Sequence, residues 1–264
     1  MDGRLAVNTT STDPDDLETA LRAYADAGFD GVEFNAGHVR PYLDGGHTVE
    51  DVRALLDSYG LDCVGGVGGQ VACFGDVAAD NDDVRENADL IAALGGDVVV
   101  VGADGPGGSP GPAVLGEYAE ALGTLADLVK PTVCIEFNWG PTLRTLRSAA
   151  EVVRRADHPN LRALFDPAHY YCTPTKFAEL TAGNVGTLGH VHLDDMPPIP
   201  GELADVNWDR VLPGEGCLDL PAMVERIESE YGGYYSVEMF DEELQGLPQR
   251  EAAERLYSSM EGIL

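Results

Sequence analysis

Thr132-Val133-Cys134-Ile135-Glu136-Phe137 is a β-branched, apolar run that carries one carboxylate near its end, and Arg162-Ala163-Leu164-Phe165-Asp166 repeats the arrangement. Between them, residues 142–156 have the 3.6-residue periodicity of an amphipathic helix. Strand, helix and strand in that order predict parallel pairing through a right-handed crossover. Reading outward, further β-rich runs fall at 5–9, 31–34, 62–67, 97–101, 189–193 and 235–239, with helical stretches at 15–27, 49–59, 83–94 and 116–129. Eight such units close naturally into a (β/α)8 TIM barrel. An open doubly wound sheet is the runner-up, weakened because no GxGxxG follows a strand and opens a helix. No Pro/Gly/Ser linker separates two parts, so residues 1–264 read as one barrel domain. Gly65 to Gly69 reads as a tight loop ending the third strand, not a phosphate cradle, since the P-loop lysine is missing. The longest irregular stretch, about 195–213, follows the seventh strand, where a barrel places active-site loops.

In a parallel barrel the chemistry sits at the C-terminal ends of the strands. The last four strands end in Glu136, Asp166, His192 and Glu238, each set in or just after an apolar run where an unpaired charge is costly. A shared cation removes that cost. Three carboxylates and an imidazole make an oxygen-rich donor set, which places Mn2+ ahead of Mg2+, Co2+ or Zn2+. His190 rivals His192: two residues apart on a strand, they point the same way. We take His192 as ligand and His190 as its support. Glu33 and Asn8 on the first two strands, and Trp139 and Trp208 as walls, are further pocket candidates. His38, His47 and His158 lie in turn-like, acidic surroundings and are expected to face solvent.

The segments Gly31-Val32-Glu33-Phe34, Ile135-Glu136-Phe137, Asp166-Pro167-Ala168-His169, His192-Leu193-Asp194-Asp195, Leu212-Pro213-Gly214-Glu215-Gly216 and Val237-Glu238, in this order, resemble the xylose isomerase-like barrel superfamily of sugar isomerases, 3-epimerases and inosose dehydratases. The resemblance implies that Glu136, Asp166, His192 and Glu238 hold one divalent metal. It also implies that Glu136 and Glu238 bracket the substrate as catalytic base and acid, and that His169 and Arg210 contact it; Glu33 and Trp139, from their positions in the chain, are expected to contact it as well. Asp194 stands where the family's segment often has lysine. The implied reaction is proton abstraction beside a carbonyl through an enediolate, by an isomerase or epimerase. An inosose- or dehydroshikimate-type dehydratase uses the same site if a β-hydroxyl is expelled. A non-catalytic sugar-binding barrel and an endonuclease IV-like phosphodiesterase rank below both.

The chain of 264 residues carries 46 acidic and 16 basic residues, a formal charge of -30, and only two lysines, Lys130 and Lys176. Repulsion of that size is screened at molar salt, where the Debye length is about 3 Å, so a halophilic, salt-rich cytoplasm is expected. Phosphate binding needs a basic patch. The expected partner is therefore a small sugar- or polyol-derived substrate, not nucleic acid or an anionic membrane, and a homodimer is compatible with the fold. The N-terminus lacks the pattern of a signal peptide, which again predicts a cytoplasmic protein. Five scattered cysteines without CxxC spacing read as buried free thiols.

Overall fold

The computed structural model describes residues 4–138, 140 and 142–264. Eight parallel strands form a closed barrel in sequence order: β1 (Leu5–Asn8), β2 (Gly31–Asn35), β3 (Asp62–Val71), β4 (Val98–Ala103), β5 (Thr132–Glu136), β6 (Leu161–Phe165), β7 (Leu188–Leu193) and β8 (Tyr235–Val237). Closure is made by β1 against β8, with Leu5, Ala6 and Val7 opposite Tyr235, Ser236 and Val237. Around it run α1 (Leu17–Ala27), α2 (Ala36–Asp44), α3 (Val49–Tyr59), α4 (Asp82–Leu94), α5 (Pro112–Leu128), α6 (Leu146–Ala156), α7 (Pro167–Cys172), α8 (Ala182–Val185), α9 (Leu220–Glu228), α10 (Glu242–Gln245) and α11 (Gln249–Ser259). No helix among the described residues is long and apolar enough to cross a membrane.

Local chemistry fixes these boundaries. Asp16 caps α1 by accepting from Thr19 N, and Thr145 and Ser148 cap α6 reciprocally. Helices then bury one stripe against strands covered on both faces, which is why the strands read as continuous apolar runs.

Three expectations change. The Gly65–Gly69 run is not a terminal loop but lies inside the ten-residue β3. A Cβ at Gly66 would collide with Ile91 Cδ1 and the Phe34 carbonyl oxygen, so glycine there lets α4 and β2 close on β3. Helix α2, absent from the sequence reading, is hidden by Gly37 and Pro41 within it and is started by Asn35 accepting from Gly37 N. Of the cysteines, all free, Cys73 and Cys134 are buried, whereas Cys63 and Cys172 are half-buried and Cys217 is exposed.

After β7 the chain runs from 194 to 219 with no helix and one isolated bridge, Asp195 to Val211. Asp195 organises this loop: its carboxylate accepts from the backbone N–H of Met196, Gly214, Gly216 and Leu218 at 2.8 to 3.2 Å. Gly216 has to be small, since a Cβ would strike that same carboxylate.

Candidate metal centre

The four expected ligands meet. Glu136 ends β5, Asp166 follows β6 as the cap of α7, His192 lies in β7 and Glu238 follows β8. His192 Nδ1 stands 3.3 Å from Glu238 Oε2, 3.4 Å from Asp166 Oδ2 and 3.9 Å from Glu136 Oε1. Metal–ligand bonds of about 2.0 to 2.2 Å put neighbouring donor atoms on one ion about 3 to 3.5 Å apart, so the spacing suits a shared ion. Asp166, His192 and Glu238 form one donor group that could hold a metal, and Glu136, Asp166 and His169 form an adjoining one.

The carboxylates are held to different degrees. Asp166 Oδ1 accepts from His169 N at 2.8 Å, which leaves Oδ2 toward the centre. Glu238 Oε1 accepts from Asn8 Nδ2 at 3.0 Å, and Oε2 from Arg210 Nη1 at 3.0 Å. Ser11 locks the backbone on either side of Glu238, donating to Val237 O and accepting from Met239 N. By contrast Glu136 Oε1, Asp166 Oδ2, His192 Nδ1, His169 Nδ1 and Arg210 Nη2 are buried without a hydrogen-bond partner. Buried polar atoms without a hydrogen bond are rare, and of these Glu136 Oε1 and Asp166 Oδ2 both lie within 4 Å of His192 Nδ1.

Arg210 comes from the long loop and is itself buried. Its Nη1 lies 2.6 Å from Asp194 Oδ2 and 3.2 Å from Asp166 Oδ2, besides Glu238. Asp194 thus anchors the arginine and also accepts from Ala168 N at 2.8 Å. One guanidinium stands among the carboxyl groups of Glu136, Asp166, Asp194 and Glu238, and a divalent cation suits so dense a set of buried oxygen donors.

The charges respond accordingly. Burial, with Asp166 and Glu238 beside it, holds the Glu136 carboxyl well above the usual range. Burial and then Asp166 do the same to Asp194. For Glu238, burial is outweighed by His192 and Arg210, and its pKa falls. Asp166 is also lowered, Arg210 and His169 overriding burial. His192 is raised well above the usual imidazole range because Glu238 and Glu33 override burial. Burial pushes His169 down to about 4.

Glu33 requires a correction. Expected among the substrate contacts, it is fully buried, with Oε2 3.1 Å from His190 Nε2 and both oxygens 3.2 Å from His192 Nε2. A strand-end carboxylate and one buried in the barrel interior look alike in sequence. His190 bonds to Glu33, and His192 both bonds to Glu33 and faces Asp166 and Glu238; Glu33, His190 and His192 form a further group of donors that could hold a metal. His169 Nε2 lies 3.5 Å from Glu136 Oε2, within reach of the same centre. Trp139 lies outside the described residues. Trp208 is 54% exposed and meets Phe240 edge-on, and Arg210 lies over the other ring at 5.1 Å. Of the histidines expected in solvent, His47 is exposed, but His38 bonds Thr9 and Asp13 and His158 bonds Asp127.

A 3-dehydroshikimate dehydratase of Pseudomonas aeruginosa is 29% identical over 254 residues, covering 90% of this chain and 38% of the relative. The chain thus spans less than half the length of the curated relatives it matches. Among solved structures, the IolI protein with a bound zinc atom superposes with a TM-score of 0.85 at 20% identity, covering 98% of both chains. The probable 3-DHS dehydratase AsbF of Bacillus anthracis gives 0.75 at 16%, covering 98% of this chain and 99% of that one. At those identities the likeness is one of fold. The family model described as xylose isomerase-like TIM barrel matches residues 21–260, and the chain belongs to that family.

Proposed function

We propose that the protein is a divalent-metal-dependent enzyme that removes a proton beside a carbonyl of a small polyhydroxylated substrate, with dehydration as the outcome. The observation that carries this reading is the set of buried, unpartnered atoms converging from β5, β6, β7 and the long loop. Glu136, Asp166, His192 and Glu238 would hold the ion, Mn2+ ahead of Mg2+, Co2+ or Zn2+. When bound, it supplies electrophilic polarisation of a substrate carbonyl.

The two glutamates differ in freedom. Glu238 is fastened by Asn8 and Arg210, whereas Glu136 keeps an unpartnered oxygen. A pair of bases acting on opposite faces needs both free, and a dehydration needs only one. In that reaction the proton passes from carbon to Glu136 and the C–H electron pair becomes the new C=C. The β-hydroxyl then departs as water, taking the proton back from Glu136. His169, whose Nε2 lies 3.5 Å from Glu136 Oε2, and Arg210 would contact substrate oxygens and offset the developing charge. The 29% identity with the Pseudomonas dehydratase supports the same outcome, and 3-dehydroshikimate is the first substrate to try.

The test is incubation of the Mn2+-loaded protein with 3-dehydroshikimate, an inosose and a panel of ketoses. Loss of water, giving an aromatic dihydroxybenzoate from the first or a deoxy-diketone from the second, is expected. An epimerised ketose with no dehydration of any substrate would overturn the proposal in favour of two-base epimerisation.

A further inference from the structure

We infer that Glu33 is a positioning residue that sets the orientation of the His192 ring from across the barrel, with His190 holding Glu33 in place. The inference rests on the reading of His192 as a metal ligand. Strands β2 and β7 are not neighbours, since β8 and β1 lie between them, so the Glu33 carboxylate reaches His192 through the barrel interior. An ionised carboxylate only accepts hydrogen bonds, so at 3.2 Å from both its oxygens His192 Nε2 is the donor. The ring is thereby turned so that Nδ1, which has no hydrogen-bond partner, faces Glu136, Asp166 and Glu238. His190 Nε2 donates to Glu33 Oε2 at 3.1 Å and its ring meets that of His192 edge-on at 5.3 Å, which leaves the carboxylate one orientation. A carboxylate behind a ligating imidazole fixes both its tautomer and its direction.

Glu33→Gln sets an NH2 group against one of two imidazole donors and removes the charge. Calorimetric titration of the metal-free protein with Mn2+ is expected to show about 10- to 100-fold weaker binding in Glu33→Gln, with Glu33→Asp recovering part of the loss. A role in stability alone would move the melting temperature but not this ratio. A second readout is the hydrogen on His192 Nε2 in 15N-histidine-labelled, Zn2+-loaded protein: exchange-protected in the wild type, unprotected in Glu33→Gln. If the wild type binds no divalent ion, the proposed function fails, while the same hydrogen in the metal-free protein still reports on Glu33. Mn2+ affinity within about twofold of wild type in Glu33→Gln, with an unchanged Nε2 hydrogen, overturns the inference. Should neither variant fold, a wild-type His192 without a protected Nε2 hydrogen overturns it.

Discussion

The two halves of the barrel carry different kinds of inward-facing residue. From β5 to β8 the strand ends present Glu136, Asp166, His192 and Glu238, of which Glu136 Oε1, Asp166 Oδ2 and His192 Nδ1 have no hydrogen-bond partner. From β1 to β4 the polar residues are already engaged: Asn8 donates to Glu238, and Glu33 accepts from both histidines. The rest of that half is close packing, with the glycines of β3 against α4 and the valines of β4. The difference teaches that one half supplies the donors and the other holds them still. Reactivity is expected to break in the first half and geometry in the second.

The comparison breaks most sharply at Glu136. Replacement by Gln removes the free carboxylate, and a fall of about 10^2- to 10^4-fold in kcat is expected in steady-state assays, with the fold intact. A fall of less than about tenfold would assign proton transfer elsewhere. Arg210→Met comes next, because it leaves Asp194, Asp166 and Glu238 buried without their cation. Breaking a buried ion pair from one side costs about 3 to 5 kcal/mol, to be read by denaturant unfolding of the metal-free protein. Excess Mn2+ should restore part of that loss, since the ion and the guanidinium offset the same charge.

In the supporting half, Gly66→Ala is expected to cost about 1 to 3 kcal/mol by forcing α4 and β2 from β3, without altering metal stoichiometry. The smallest effect is a slope with pH. His169 is held down to about 4, below the ordinary imidazole value, so the unfolded chain binds the extra proton first. Its contribution to stability is present above about pH 6.5 and is lost as pH falls toward 4. His169→Gln should flatten that part of the stability profile in the metal-free protein.

Much of this was legible in the sequence. The strands were readable because each is buried on both faces and so forms an unbroken apolar run, as in Val133, Cys134 and Ile135. Glu136 and Asp166 were readable because a carboxylate at the end of such a run has no solvent to explain it. The link between Arg210 and Asp194 was not, since they lie 16 residues apart on a loop with no periodic pattern. Glu33 was misplaced for a related reason. Period-two alternation says that a side chain points inward, but not how deep in the barrel it ends or what lies opposite. Gly65 to Gly69 misled because glycine marks both a turn and a close approach of elements, and only the neighbouring Ile91 decides between them.

The central claim is that Glu136, Asp166, His192 and Glu238 together hold one divalent ion. Metal-free protein titrated with Mn2+ at high salt, with bound metal counted per chain, tests it most directly. The account predicts a single ion in the wild type and loss of that ion in His192→Ala. A wild type that binds no ion, or a His192→Ala variant that binds it as tightly, would contradict it.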